Sequence, residues 1–180
     1  MIRSLPALAS FLLIGTAAAF AAAPEPNGFR MDEYRATVPA TVAGGSVVHA
    51  QEIRKLQGQH GVVLIDVYPA PRRPPGTQPG TPWLPPVHRN LPDSLWWPEV
   101  GRGAIPPALE TRFQQRLSEV TASQPGKLLV FYCKADCWLS WNATKRAASY
   151  GFKVAWFPEG ADGWQASGLP TQAAKPESLD

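Results

Sequence analysis

Continuous apolar runs alternate with segments of helical periodicity along this chain. Val62 to Val67 (VVLIDV) and Lys127 to Tyr132 (KLLVFY) are apolar stretches of strand length, typical of central parallel strands that are covered on both faces. Lys153 to Phe157 (KVAWF) predicts a third strand of the same kind. Strands separated by helices predict an α/β domain with a mainly parallel central sheet flanked by helices.

The segments between these strands carry helix signals. Three helices are predicted: one among the helix formers of 49–61, one in 105–121 with four apolar residues at helical spacing, and one in 138–150 closed by Gly151. A short fourth helix is predicted in 161–170 (ADGWQASGLP), just before the tail.

Composition divides the chain into four parts. Residues 1–21 have one early arginine, an apolar run and Ala-rich cleavage options near Ala21 to Ala23. This is the layout of a signal peptide for secretion. If the source is a Gram-negative bacterium, the predicted destination is the periplasm. The domain is predicted to span about 28–170, and the polar tail 171–180 is predicted to be loose.

A long insertion interrupts the domain at about 69–107. It holds twelve of the 20 prolines together with three tryptophans. We expect either an irregular surface loop or a wall over a site at the ends of the strands, since loops of this length are usually functional or disordered. Its tryptophans predict at least partial order, because their large apolar surfaces are costly to leave in water.

The net charge and the hydropathy of the chain limit the kinds of partner that the sequence predicts. Removal of the signal peptide, which contains one arginine and no acid, lowers the formal charge from +3 to +2. Such a small and scattered excess of positive charge does not predict a nucleic-acid partner or an anionic membrane surface. No segment of the mature chain is long and apolar enough to predict a membrane span.

The only two cysteines, Cys133 and Cys137, lie four residues apart at the end of a predicted strand. Ligands bind at the carboxyl ends of the strands in open α/β sheets, and a following helix N-terminus stabilises a thiolate. The spacing fits a local structural disulfide, a redox or sulfur-handling pair with Cys133 attacking and Cys137 resolving, or a metal clip. The further ligands that a zinc site needs would have to come from the three histidines, which are distant in sequence. Copper(I) accepts two thiolates alone, so a metal clip stays open.

Other candidate binding residues surround the pair. Trp138 and Trp141 share one helix face, so they either pack the core against the Pro-rich insertion or form an aromatic platform for a ligand or partner. Asp66 ends its strand and either anchors the loop across the mouth of the sheet or caps a helix. Lys145 and Arg146 are expected to be solvated helix cations, and Arg146 is also a candidate binding residue.

These motifs resemble a known family. VLIDV, NLPDSLWWP, LLVFYC and VAWFPEGADGWQASGLP are similar, in this order, to the motifs of rhodanese-like domains. The segments YC, DCW, SWNA, KRA, PEG and DGW further resemble an exported group of that family, named for PQQ-dependent catabolism and a CXXCW motif. The resemblance covers about 28–170 and implies a rhodanese-like fold with the insertion added to it.

The resemblance also implies a context. Cys133 falls on the position of the persulfide-forming cysteine of rhodaneses, and the group is associated with PQQ-dependent alcohol oxidation, with a PQQ-dependent dehydrogenase or cytochrome c as the expected partner. The chain lacks the arginine that sulfurtransferases commonly carry in this loop, and Tyr68 stands where many have another. Both departures weigh against transfer from thiosulfate or mercaptopyruvate.

Two functions follow as hypotheses. In the first, the chain is a periplasmic thiol-active accessory protein, in which Cys133 and Cys137 perform thiol-disulfide or persulfide chemistry. In the second, it is a non-catalytic binding or assembly factor for a PQQ dehydrogenase and cytochrome c system, with a structural disulfide between the cysteines. No bound cofactor is predicted beyond this association with PQQ enzymes.

Overall fold

A computed structural model describes residues 22–179. The predicted signal peptide at 1–21 lies outside the described residues, so export stays a prediction. No helix within 22–179 is long and apolar enough to cross a bilayer.

The strands of the described part of the chain form one five-stranded sheet and a separate pair. In the main sheet the order is β1-β6-β5-β2-β4, and every neighbouring pair is parallel. The two remaining strands, β3 and β7, pair antiparallel. In chain order the strands are β1 (Ser46–Val47), β2 (Val62–Asp66), β3 (His88–Asn90), β4 (Leu95–Trp96), β5 (Leu128–Tyr132), β6 (Val154–Phe157) and β7 (Gln172–Ala174).

Within residues 22–179, four helices flank the main sheet. The predicted α/β class, with a mainly parallel sheet and flanking helices, is therefore confirmed, and each predicted strand and helix is present with ends shifted by a few residues. In chain order the helices are α1 (Ala50–Gly58), α2 (Pro107–Ser123), α3 (Trp138–Ser149) and α4 (Gly160–Ala166).

The core has two layers because alternate residues of a strand face opposite sides of the sheet. In the central strand β5, Leu129 and Phe131 pack in the cluster that includes the apolar faces of α2 and α3. Val130 and Tyr132 pack in the opposite cluster, with residues of α1 and α4. By the same alternation Cys133, the next residue, belongs to the α2 and α3 side.

The insertion is more ordered than an irregular loop. It contributes β3 and β4, and it buries Trp96 and Trp97 to 2% and 0% exposure. Trp83 lies half-buried, in a part of the insertion that has no regular element. The expectation of partial order from the tryptophans is thus met by the second half of the insertion.

The structure corrects the prediction of a loose tail at 171–180. Its residues form β7, and beyond that strand Glu177 donates its N–H to the carbonyl of Trp96 at 2.9 Å. The Glu177 carboxylate also accepts a hydrogen bond from Nε1 of Trp97 at 3.0 Å, and Leu179 is buried in the core. The polar composition of the tail does not predict these contacts, because strand pairing uses backbone N–H and C=O groups and does not depend on the polarity of the side chains.

Candidate functional site

The two cysteines close the loop between the central strand and α3. Cys133 follows β5 directly, Cys137 precedes α3, and their sulfurs are joined as a disulfide with Cα atoms 6.3 Å apart. The turn between them passes through Asp136, whose φ of 51° lies in the left-handed region that aspartate tolerates better than most residues. Cys133 is 1% exposed and Cys137 2% exposed, so the disulfide is inside the protein.

Helix α4 holds the first half of this loop. The carbonyl of Cys133 accepts the N–H of Ala161 at 2.9 Å, and the N–H of Ala135 donates to Oδ2 of Asp162 at 3.1 Å. Gly160 has a φ of +54°, and a Cβ atom at that position would lie 2.5 Å from the carbonyl oxygen of Cys133. Only glycine therefore lets α4 approach the cysteine loop this closely.

An N-terminal strap, residues 26–41, covers the second half of the loop. The N–H of Trp138 donates to the carbonyl of Tyr34 at 2.9 Å, and the N–H of Ala36 donates to the carbonyl of Asp136 at 3.1 Å. Cys137 forms an isolated antiparallel bridge with Arg35 of the strap. These backbone contacts explain why the disulfide has almost no access to solvent.

Side chains of α3 attach the strap to the domain. Asn142 accepts the N–H of Arg30 at 2.9 Å through Oδ1, and its Nδ2 donates to the carbonyls of Arg30 and Gly101 at 2.8 and 2.9 Å. Lys145 donates through Nζ to three successive carbonyls of the strap, at 2.7 to 3.1 Å. Trp141 donates through Nε1 to the carbonyl of Thr41 at 2.9 Å. Three residues of the SWNATKRA segment, Trp141, Asn142 and Lys145, thus attach the strap to the domain.

Arg146 is not a solvated cation, which corrects the expectation from sequence. It is 2% exposed and donates to the carbonyls of Val100, Arg102 and Gly103 at 2.7 to 2.9 Å, and its guanidinium lies over the ring of Phe29. Burial lowers the pKa of Arg146 below its ordinary value. The guanidinium fixes the turn that precedes α2, so its contacts are those of a structural residue, and its predicted binding role stays a prediction.

Trp138 and Trp141 lie in the core. They are 3% and 0% exposed and pack with Trp156 and Val42 against the N-terminal residues, not against the Pro-rich insertion. Their rings meet edge to face, with centroids 5.2 Å apart. Neither ring presents an open aromatic platform beside the sulfurs, so a binding role for this pair stays a prediction that would require the strap to move.

Asp66 connects the main sheet to the insertion. Its Oδ1 accepts the N–H of Tyr68 at 2.8 Å, and its Oδ2 lies 2.6 Å from Nε2 of His88. Burial raises the pKa of Asp66, and the hydrogen bond from His88 opposes that rise. Of the two roles that the sequence left open, these contacts fit an anchor for the insertion.

His88 is the residue that sequence reasoning missed in this role. The sequence offers His88 only as a distant candidate metal ligand, and no local pattern marks a histidine that contacts an aspartate 22 residues away. Among residues 22–179, no group of three or more His, Cys, Asp or Glu side chains is arranged to hold a metal ion. In the part of the chain that the structure describes, the cysteine loop and the Asp66–His88 pair both lie at the carboxyl ends of parallel strands, β5 and β2.

Comparison with known proteins gives only distant structural similarity. No protein-family model and no curated protein matches the chain. A human single-domain sulfurtransferase is 22% identical, with 68% of this chain and 96% of that one covered at a TM-score of 0.42. A Pseudomonas aeruginosa thiosulfate sulfurtransferase is 16% identical, with 73% of this chain and 21% of that one covered at 0.46.

A third solved structure, a Rhodopseudomonas palustris protein described as a possible tyrosine phosphatase, is 18% identical, with 72% of this chain and 86% of that one covered at a TM-score of 0.45. All three superpositions are partial and the identities are low. These similarities therefore carry no argument about function, and the function proposed for the site rests on the residues of this chain.

Proposed function

We propose that this chain is an exported rhodanese-like domain that acts as a non-catalytic binding or assembly factor for a PQQ-dependent dehydrogenase and its cytochrome c. In this proposal the Cys133–Cys137 disulfide is a permanent crosslink. The observation that carries the proposal is the burial of both cysteines, at 1% and 2% exposure, between the strap and α4. The motif resemblance given above supports the rhodanese-like assignment, the export and the PQQ context.

The burial of both cysteines supports the binding hypothesis over the thiol-active one, because disulfide exchange needs access to a sulfur atom. An attacking thiolate must reach one sulfur, and reactive cysteines are partially exposed whereas buried structural cysteines are inert. Here the carbonyl of Tyr34, which accepts a hydrogen bond, and the N–H of Ala36, which donates one, cover the loop on one side, and the N–H of Ala161 donates to it on the other. A crosslink held in this way fixes the loop and, through it, the strap.

The positions of the two cysteines in the fold favour the thiol-active hypothesis, which is therefore the second candidate function. Cys133 ends the central strand, and Cys137 directly precedes the twelve-residue helix α3, whose N-terminus would stabilise a thiolate on Cys137 after reduction. In that reaction an external thiolate forms a mixed disulfide with Cys133 and releases Cys137 as thiolate. A second external thiol then releases Cys133, so two thiols are oxidised to one disulfide as the pair is reduced. The strap would have to leave the loop for either step, and also for persulfide formation on Cys133.

A binding measurement with a cysteine-free variant tests the main proposal. The Cys133→Ala, Cys137→Ala double variant is compared with the wild type for binding to a PQQ-dependent dehydrogenase and its cytochrome c from the same source, by titration calorimetry. We expect binding to persist with at most a modest loss of affinity. Loss of binding in a variant that still folds, or no binding by the wild type, would contradict the proposal.

The exposed face of the insertion gives a matched pair of surface variants. Leu84 is 90% exposed on the insertion, whereas Met31 is 60% exposed on the strap. Because exposed apolar side chains on a Pro-rich insertion are candidates for partner contact, Leu84→Asp is expected to weaken partner binding, with Met31→Asp as the control of equal charge. Equal effects of the two variants would exclude the insertion as the contact surface.

A further inference from the structure

An apolar groove lies where the insertion meets the tail. It encloses about 380 Å³ between the β3 and β7 pair and the irregular part of the insertion. Its walls are made by prolines, alanines, Val87 and the ring of Trp96, with Lys175 as a charged side chain of the lining. A volume of this size suits a small organic molecule, and small-molecule sites are mostly apolar with a few fixed polar groups.

His88 supplies the fixed polar group of this groove. Its side chain is 8% exposed, and its ring is stacked parallel to Tyr68 and lies 4.1 Å, between centroids, from Trp96. Nε2 is taken up by Asp66, while Nδ1 has no hydrogen-bond partner among residues 22–179 and is not one of their buried unpaired atoms. His88 lines the groove, so Nδ1 is the polar atom of this side chain that is left for a ligand there.

Asp66 holds the imidazole in one orientation. Its side chain is 1% exposed, the N–H of Tyr68 fixes one carboxylate oxygen, and His88 contacts the other at 2.6 Å. A carboxylate behind a histidine fixes the ring and leaves the second nitrogen for a ligand. Trp96 completes the support, because its Nε1 donates to the carbonyl of Tyr68 at 2.6 Å.

We propose that this groove binds a small apolar molecule that carries one hydroxyl group, with Nδ1 of His88 as the hydrogen-bonding partner of that hydroxyl. A hydroxyl both donates and accepts a hydrogen bond, so it matches Nδ1 whether or not that nitrogen carries a proton. A carbonyl or an ammonium group would match only one of the two states. The site is independent of the disulfide and of the partner protein proposed above.

Benzyl alcohol and toluene form a matched pair of probes, since they differ by the hydroxyl alone. Binding to the mature chain is followed through the imidazole nitrogen resonances of His88 and the amide resonances of β3 and β7. We expect the dissociation constant for benzyl alcohol to be at least tenfold lower than that for toluene, with a shift of the Nδ1 resonance for the alcohol only. Equal affinities, or no shift with either probe near its solubility limit, would overturn the proposal.

A groove-filling variant locates the site without touching the Asp66–His88 pair. Ala174, half-buried on β7, lines the groove, and Ala174→Trp places an indole in it. The variant is expected to lose binding of benzyl alcohol while its melting temperature and His88 resonances remain those of a folded chain. Unchanged binding in this folded variant would place the alcohol elsewhere and reject the site. The result does not depend on the fate of the dehydrogenase experiment, which uses neither probe.

Discussion

Reduction of the Cys133–Cys137 disulfide is expected to cost the fold about 2 kcal/mol. The crosslink joins residues four apart. In the chain-entropy model, closing so small a loop removes about 6 to 7 cal/mol/K from the unfolded ensemble, which is about 2 kcal/mol at 25 °C. For a domain of this size the loss corresponds to a fall in melting temperature of about 4–8 °C.

Urea unfolding of the wild type with and without dithiothreitol measures this loss. Reduction leaves both sulfur atoms in place, so the comparison separates the crosslink from the packing of the side chains. The Cys133→Ala, Cys137→Ala variant, measured with and without the same reductant, is the control for effects of the reductant itself and should show no change. The denaturant slope is expected to change little, because almost the same surface is exposed on unfolding.

The same free energy must also appear in the redox equilibrium. A disulfide that stabilises the fold by about 2 kcal/mol is harder to reduce in the native protein than in the unfolded chain, by about 40 mV for a two-electron couple. The two measurements close one thermodynamic cycle. Identical unfolding midpoints for the oxidised and reduced proteins would refute the reasoning, since the crosslink would then place no constraint on the fold.

Three further predictions concern the contacts around the cysteine loop and the Asp66–His88 pair. Asn142→Ala removes two hydrogen bonds to Arg30 of the strap and one to Gly101, so it should cost about 2–4 kcal/mol in urea unfolding and speed reduction of the disulfide by dithiothreitol; an unchanged rate would mean that the strap does not protect it. Gly160→Ala meets backbone at 2.5 Å, whereas Gly126→Ala, also at positive φ, meets nothing within 4 Å, so the first should lower the melting temperature well beyond the second, and equal effects would exclude the clash as the cause. Burial raises the pKa of Asp66 above its ordinary 3.8, so the native state binds this proton more tightly than the unfolded state. This contribution to stability is greatest below 3.8 and declines as the pH rises through the raised pKa; the stability of Asp66→Asn should lack that decline, and parallel pH profiles would contradict the prediction.

Three strands of the main sheet, β2, β5 and β6, were predictable because their signals are local, whereas β1 and β4 have two residues each and are too short to give such a signal. Apart from Asp66, VVLIDV and KLLVFY carry hydrophobic side chains at every buried position of β2 and β5, and the place of Cys133 at the end of β5 follows from the second run. The PP pair at the start of α2 and Gly151 after α3 are equally local signals. Physical chemistry of short segments therefore accounts for the architecture and for the position of the cysteine loop.

The surroundings of the site were not predictable because they depend on distant pairs. Asn142 and Arg30 are 112 positions apart, and nothing near Asn142 indicates that it holds the strap. Arg146 looks like an exposed cation at the end of a helix until the carbonyls of the turn before α2 are placed around it. Periodicity assigns each residue to a face of its own element, but it does not say which distant segment covers that face.

The reduction potential of the Cys133–Cys137 pair tests the central claim most directly. It is obtained from the fraction of alkylated protein, read by mass, after equilibration of the mature chain in a series of dithiol and glutathione buffers. A structural crosslink predicts a value below about −300 mV, which the glutathione pool cannot reduce. A value near or above about −230 mV, the range of redox-active dithiols, would contradict the account and make Cys133 and Cys137 the working groups of the protein.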